Sequence, residues 1–279
     1  MVVEMANCGT RKLGVTARNQ DLRRIEEGLR SAGQLFRSSC PDLLAPEKEV
    51  ADVAALEDSV DAYLQRFLPE KGEGWLSEES EDDCARLATR RVWIVDPLDG
   101  TREFSAGIPE WSISIGLIED GLPIAGGVFN PATDELFLGA VGYGVTLNGE
   151  VPDVGTIEPG DKPIVLASRS EVMRGEWDAF CGVPFRVVAM GSVAYKLARV
   201  AAGLADATWT WVPKHEWDVA AGVALAHAAG KLIRTPDARF PLFNRPEPLF
   251  GGLFAFARSC LQLLETEPWP RAVRARTTG

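Results

Sequence analysis

Residues 93–104, WIVDPLDGTREF, carry an apolar run straight into two aspartates three positions apart. With Arg91 and Val92 before it, the run has the short β-branched and aromatic character of a strand. Asp96, Pro97, Asp99 and Gly100 are turn formers, so taken alone they end that strand in a turn. Two carboxylates so close repel each other unless a cation lies between them. Such hard oxygen donors suit magnesium, which takes one or two carboxylates together with water and substrate phosphate. The Asp-Gly-Thr that follows can open a helix whose free N–H groups face an anion.

Upstream of this stretch the pattern is helical. Leu22, Ile25, Leu29, Ala32 and Phe36 recur at helix spacing from near Asp21, and Pro41 closes the region. Leu56, Val60, Tyr63, Leu64 and Phe67 mark a second amphipathic helix, ended by Pro69 and KGEG. Downstream the pattern is extended. SISIGLI (112–118), IAGGVF (124–129) and ELFLGAV (135–141) are separated by turn residues, and an Asn-Gly turn lies in YGVTLNGE. Two helices followed by such a meander predict helices packed on an antiparallel sheet.

A shift in composition at 152–162 (PDVGTIEPGDK) is the expected seam between two parts. Residues 1–155 then form an N-terminal α+β half carrying most of the candidate ligands. Residues 156–279 form a C-terminal α/β half that closes the site. There IVLAS, FRVVAM, ATWTW and KLI read as strands, alternating with helices at SVAYKLARVAAG and WDVAAGVALAHAAG.

Composition narrows the function. The 279 residues carry a formal net charge of -11, with a pI near 4.8 and a mean hydropathy of -0.03. An acidic chain lacks the basic face that nucleic-acid polymers or anionic membranes require. It binds a phosphate ester only with help from metal ions or helix N-termini. The five cysteines are scattered, with no C-x-x-C pair, and read as free thiols of a reducing, cytoplasmic compartment. No apolar stretch is long enough for a leader or a membrane span.

Three further segments join the aspartate pair. Glu78 and Glu79 in LSEES (76–80) precede the WIV strand; alone, an acidic pair is an ordinary solvated patch. Asp218 opens an Ala- and Gly-rich helix, where aspartate is a common capping residue, and whose small face permits close packing. Gly191 and Ser192 open another helix, and the same geometry that caps a helix can seat a phosphate. His215 and His227 are the only histidines, and His227 within its Ala-rich helix reads as packed. No P-loop, nucleophile elbow or dinucleotide fingerprint is present.

Each signal alone is bland. Together and in this order, LSEES, WIVDPLDGTREF, GS and WDVAAG resemble the inositol-monophosphatase-like superfamily of metal-dependent phosphatases, whose two signatures are D-P-x-D-G-T and W-D-x-A-A-G. LSEE, the Arg102-Glu103-Phe104 triplet after DPLDGT, LASRS (166–170) and FNRPEPL are most similar to the 3'(2'),5'-bisphosphate nucleotidase branch. The resemblance implies a layered αβαβα sandwich and a magnesium-dependent phosphomonoesterase with two or three ions. Its implied substrate is small and phosphorylated: the 3'-phosphate of 3'-phosphoadenosine 5'-phosphate.

The resemblance also implies roles. Glu78, Asp96 and the Leu98 carbonyl hold one ion; Asp96, Asp99 and Asp218 hold a second. Gly100, Thr101, Gly191 and Ser192 cradle the phosphate, Thr101 orients the attacking water, and Arg169 and Lys214 contact a second phosphate. A T-x-A-D motif normally supplies the acid that pairs with the Thr of D-G-T. Here the text is KEVADVAALED, which offers Asp52 as that acid and Glu49 in the threonine's place. Trp211 stands where the inositol branch has a glutamate for a ring hydroxyl. The alternatives are an inositol or other sugar phosphatase, and a catalytically weak homologue that senses metal or phosphate. The resemblance suggests a homodimer.

Overall fold

The computed structural model describes residues 7–46, 50–153, 162–180 and 185–260. Two helices come first, α1 (Asn7–Ser39) and α2 (Val50–Phe67). Helix α1 begins well before Asp21. The apolar stripe marks where it meets the sheet: Ile25, Leu29, Ala32 and Phe36 have no exposed surface. That stripe is what the sequence displays, because a helix that docks only part of its length needs apolar residues only there.

The first sheet follows. It comprises β1 (Gly74–Ser77), β2 (Arg91–Asp99), β3 (Ser112–Glu119), β4 (Leu122–Asn130), β5 (Glu135–Ala140) and β6 (Gly144–Leu147), hydrogen-bonded in that order. Strands β1 and β2 are parallel and the remaining pairs antiparallel. A short helix, α3 (Thr101–Ser105), leaves β2 directly.

The expected turn after Val95 is not a turn. Strand β2 runs on through Asp96-Pro97-Leu98-Asp99, all buried. Its register slips there: Asp96 opposes Ser114 and Asp99 opposes Ser112, so three steps on β2 match two on β3. Side chains alternate faces along a strand, and residues three apart would point to opposite sides. The extra residue of this bulge restores the match, setting both aspartates opposite residues of one face. Pro97 sits at the bulge, where a missing N–H is tolerated.

Both faces of the sheet are covered. Ile113, Ile115 and Leu117 pack with Trp93, Val95 and the α1–α2 stripe in one cluster. The alternate residues Ser112, Ser114 and Gly116 are small, and this face receives the helices of the second half.

That half contains β7 (Ile164–Ser168), α4 (Arg169–Met173), β8 (Arg186–Met190), α5 (Val193–Ala201), β9 (Ala207–Thr210), β10 (Lys214–His215) and α6 (Glu216–Ala228). It ends with β11 (Leu232–Arg234), β12 (Leu249–Phe250) and β13 (Leu253–Phe256). The second sheet has the order β11-β13-β9-β7-β8, and β10 pairs with β12. Helices α5 and α6 lie between the sheets: Ile94, Val128 and Phe137 of the first share a cluster with Val219, Ala220, Val223, Leu166 and Ala255. Trp177, Phe180 and Trp209 cover the outer face of the second sheet. The molecule is thus a layered αβαβα sandwich of mixed α/β class, as the sequence implied.

Helix α6 packs closely on both sides. A Cβ at Gly116 would lie 2.8 Å from Ala220 Cβ, and one at Gly126 2.8 Å from the Ala221 carbonyl oxygen. A Cβ at Gly222 would lie 2.4 Å from Leu197 Cβ of α5. Residues 154–161 of the expected seam lie outside the described residues. Among the described residues, no helix is long and apolar enough to cross a membrane.

Candidate active site

The bulge brings Asp96 and Asp99 to the edge of the inter-sheet layer, and α6 brings Asp218 to them. One carboxylate oxygen from each of the three lies within 4.8 Å of the others. Asp96 is 1% exposed and Asp99 9%. Asp96 Oδ1 accepts the Leu98 N–H at 2.9 Å, which folds the bulge around its own side chain. Asp218 does cap its helix: one oxygen accepts the His215 N–H at 2.7 Å. Capping and clustering are compatible, since a carboxylate has two oxygens.

Glu78 enters from β1. Ser77 pairs with Val95, so the next residue lies alongside Asp96 at the same end of the sheet. The loop is held to α2 by a chain of bonds: Trp75 donates to Ser80 Oγ at 3.2 Å, and Ser80 donates to Asp61. The start of α6 is held by FNRPEP. Glu216, fully buried, accepts the main-chain N–H groups of Asn244 (2.8 Å) and Arg245 (3.1 Å). Buried Arg86 in turn holds the Asn244 side chain, the Arg245 carbonyl and Asp82. This segment, quoted above for its resemblance, clamps the helix that carries Asp218.

The electrostatics fit cations. Burial, reinforced by Asp99, Glu78 and Asp218, lifts the Asp96 carboxyl well above the usual range. Burial first and Asp218 next push Glu78 up to about 7; burial and Asp99 do the same to Asp218. Asp96 Oδ2 is buried with no hydrogen-bond partner. A buried orphan oxygen is costly, and a divalent cation bound by this all-oxygen set would satisfy it while offsetting the repulsion.

Thr101, the first residue of α3, donates from Oγ1 to Glu57 Oε1 at 2.9 Å. The acid that pairs with this threonine is therefore Glu57, not Asp52. Asp52 is exposed on α2 and borders a cavity of about 450 Å³ shared with Cys40 and Phe104. Glu49 lies outside the described residues. Glu57 is 8% exposed, and burial pushes its carboxyl up to about 7 against the lowering effect of Thr101. A sequence signal for it existed. Val53, Leu56, Val60 and Leu64 form the buried stripe of α2, and Glu57 and Asp61 fall within it.

Gly191 and Ser192 do reach the site, but their donors are engaged. Ser192 Oγ and the Ala194 N–H both bond Asp99 Oδ2, at 2.7 and 2.5 Å. The Gly191 N–H bonds Glu110 at 2.8 Å. Gly100 and Gly191 are both close-approach positions: a Cβ at either would lie 3.1 or 2.7 Å from the Glu110 carbonyl oxygen. Arg169 forms an ion pair with Glu110 at 2.5 Å. Lys214 is half-buried, and its charge only partly offsets the rise that burial and Asp99 impose on the Asp218 carboxyl. Trp211 packs edge-on against Phe254, centroids 4.6 Å apart, and His215 stacks on Trp217. His227 packs against Phe240, as its setting suggested.

Carboxylates gathered for cations, beside a hydroxyl aligned by an acid, define a metal-dependent phosphomonoesterase. The chain matches the inositol monophosphatase family over residues 22–258 and belongs to it. It is similar to an inositol-1-monophosphatase of Rhizobium meliloti (strain 1021), 37% identical over 164 residues, covering 56% of this chain and 61% of that one. It is also similar to inositol monophosphatase 3 of Solanum lycopersicum, 34% identical over 206 residues, covering 66% and 71%. Among solved structures it resembles CysQ of Bacteroides thetaiotaomicron, a bacterial member of the family, with TM-score 0.71, 25% identity and coverage of 86% and 97%. The inositol monophosphatase of Anabaena (Nostoc) sp. PCC 7120 gives TM-score 0.69, 27% identity and coverage of 92% and 99%.

Proposed function

We propose that this chain hydrolyses the 3'-phosphate of 3'-phosphoadenosine 5'-phosphate, using two or three magnesium ions held by Glu78, Asp96, the Leu98 carbonyl, Asp99 and Asp218. When bound, the ions neutralise charge on the phosphoryl group and acidify a ligated water. The protein's own part is alignment. Thr101 gives its proton to Glu57, so its oxygen lone pairs are left to accept from the attacking water. Glu57, held near 7, is able to take that proton onward. The leaving alkoxide departs on the opposite side and takes a proton from solvent.

The observation that carries the substrate assignment is the wall beside Asp218. Lys214 there has no ion pair among the described residues; Lys196 lies fully buried close by and donates to the Met190 and Ser192 carbonyls, its ammonium pushed down to about 8 chiefly by burial. The nearby Glu216 is committed to the Asn244 and Arg245 main chain. That wall favours a second anionic group over a polyol hydroxyl. The DPLDGTREF and LASRS stretches support the same branch.

A phosphate-release assay on adenosine 3',5'-bisphosphate, inositol 1-phosphate and fructose 1,6-bisphosphate, each with and without Mg²⁺, decides the matter. Preference for the adenosine compound is expected. Preference for either of the others reassigns the substrate, and metal binding without turnover on any member points to a sensor.

A further inference from the structure

We propose that Arg169 and the Gly191 N–H form an anion subsite beside the metal-binding carboxylates, occupied in this structure by the chain's own Glu110. The second phosphate of the substrate takes that seat by displacing Glu110. This rests on the bisphosphorylated substrate proposed above.

Three N–H donors converge on one oxygen. Glu110 Oε2 receives Arg169 Nε at 3.1 Å, Arg169 Nη2 at 2.5 Å and the Gly191 N–H at 2.8 Å. A guanidinium paired with a main-chain N–H is the donor set that recognises phosphate oxygens as readily as carboxylates. The seat lies in the wall of the site. Gly191 directly precedes Ser192, which bonds Asp99, and the main chain of Glu110 passes over both Gly100 and Gly191. Neither partner is sealed in: the Arg169 and Glu110 side chains are 31% and 20% exposed.

Ser168, which caps α4 ahead of Arg169, lines one small pocket with Lys196 and Lys214, and the buried Lys196 there donates to the Met190 and Ser192 carbonyls. Helix α2 supplies Glu57 on the side of Thr101. In-line displacement sends the leaving group away from the side on which Thr101 and Glu57 align the attacking water. Glu103 packs against Gly191 and is the other carboxylate within reach of Arg169. It is buried, and no hydrogen bond links it to the seat. Glu110 thus acts as a placeholder that the second phosphate must outcompete, which weakens binding of ligands that carry a second anion and leaves those lacking one nearly untouched.

The test uses Glu110→Ala, with Glu110→Gln as a size-conserving second variant and thermal unfolding as a folding control. Inorganic sulfate, titrated calorimetrically into metal-free protein, is the turnover-independent probe. Sulfate binding about two- to fivefold tighter in Glu110→Ala than in the unaltered chain is expected, about the worth of one partly exposed ion pair. The gain should vanish in Glu110→Ala/Arg169→Gln. The kcat/KM ratio of adenosine 3',5'-bisphosphate to adenosine 3'-phosphate should rise by a similar factor in Glu110→Ala. Sulfate affinity unchanged in both folded variants, or a gain that survives loss of Arg169, overturns the subsite. Sulfate binding without hydrolysis of either nucleotide sinks the substrate assignment instead, and leaves the seat standing.

Discussion

At the scale of single residues, Glu57 and Asp52 are separated by which way each points, not by chemistry. Five positions apart on one helix, they stand about 140° apart around its axis, so only one can face β2. Glu57 does, and bonds Thr101. Glu57→Gln should lower kcat by about 10²–10³ with KM little changed, the usual cost of a lost proton acceptor. Asp52→Asn should leave kcat within about twofold, since its side chain is exposed. Steady-state kinetics on both variants checks this, and equal losses would remove Glu57 from the mechanism. The T-x-A-D comparison pointed to Asp52 because it matched letters. The buried stripe of α2, which takes in Glu57, was the better guide.

At the scale of elements, α6 delivers Asp218 only because small residues line it on two sides. A valine at Gly222 would drive its side chain into Leu197, since even the first carbon of that side chain would stand 2.4 Å from Leu197 Cβ. Gly222→Val should cost about 1–3 kcal/mol of stability, the usual penalty for overpacking. It should also weaken Mg²⁺ binding several-fold by shifting Asp218. Thermal unfolding and a metal titration read the two effects separately, and destabilisation with unchanged metal affinity would show that Asp218 tolerates the shift. The elements themselves were largely legible, because strand and helix periods differ and turn residues mark the joints. The start of α1 was not, since its first turns lie outside the docked stripe. Nor was the continuation of β2 through Asp-Pro-Leu-Asp, since bulge and turn draw on the same residues. Nor was the engagement of the Gly191 and Ser192 donors, which depends on Glu110 and Asp99 arriving from distant sequence.

At the scale of the whole molecule, the acid cluster makes stability depend on pH and metal together. Glu57 and Glu78 rise from 4.5, and Asp218 from 3.8, to about 7 in the folded chain. Between those limits the folded state holds protons that the unfolded state has released. Metal-free protein should therefore lose stability as the pH rises from about 4 to about 7, then level off. Glu216, also raised to about 7, adds in the same direction. Lys196, lowered from 10.5 to about 8, acts only above that, where it makes stability rise with pH. Under the function proposed above, millimolar Mg²⁺ is a ligand of the ionised cluster and should raise Tm by several degrees near pH 8 and far less near pH 5. Differential scanning calorimetry with and without chelator tests this; equal Mg²⁺ effects at the two pH values would mean the cluster does not hold the ion.

The extra residue in β2 has a consequence for how this site can change over time. Substitution at Pro97 or Leu98 leaves the count of residues intact, and with it the bulge. Removing either one restores ordinary strand pairing with Asp99 still opposite Ser112, now two positions from Asp96, but it abolishes the bulge that folds around the Asp96 side chain through the Leu98 N–H. A chain lacking Leu98 should accordingly bind metal more weakly, having lost the bulge and the proposed Leu98 carbonyl ligand, while Leu98→Ala should retain binding, as a metal titration on the two proteins would reveal. Lineages that keep the chemistry can vary the letters between the two aspartates, but not their number.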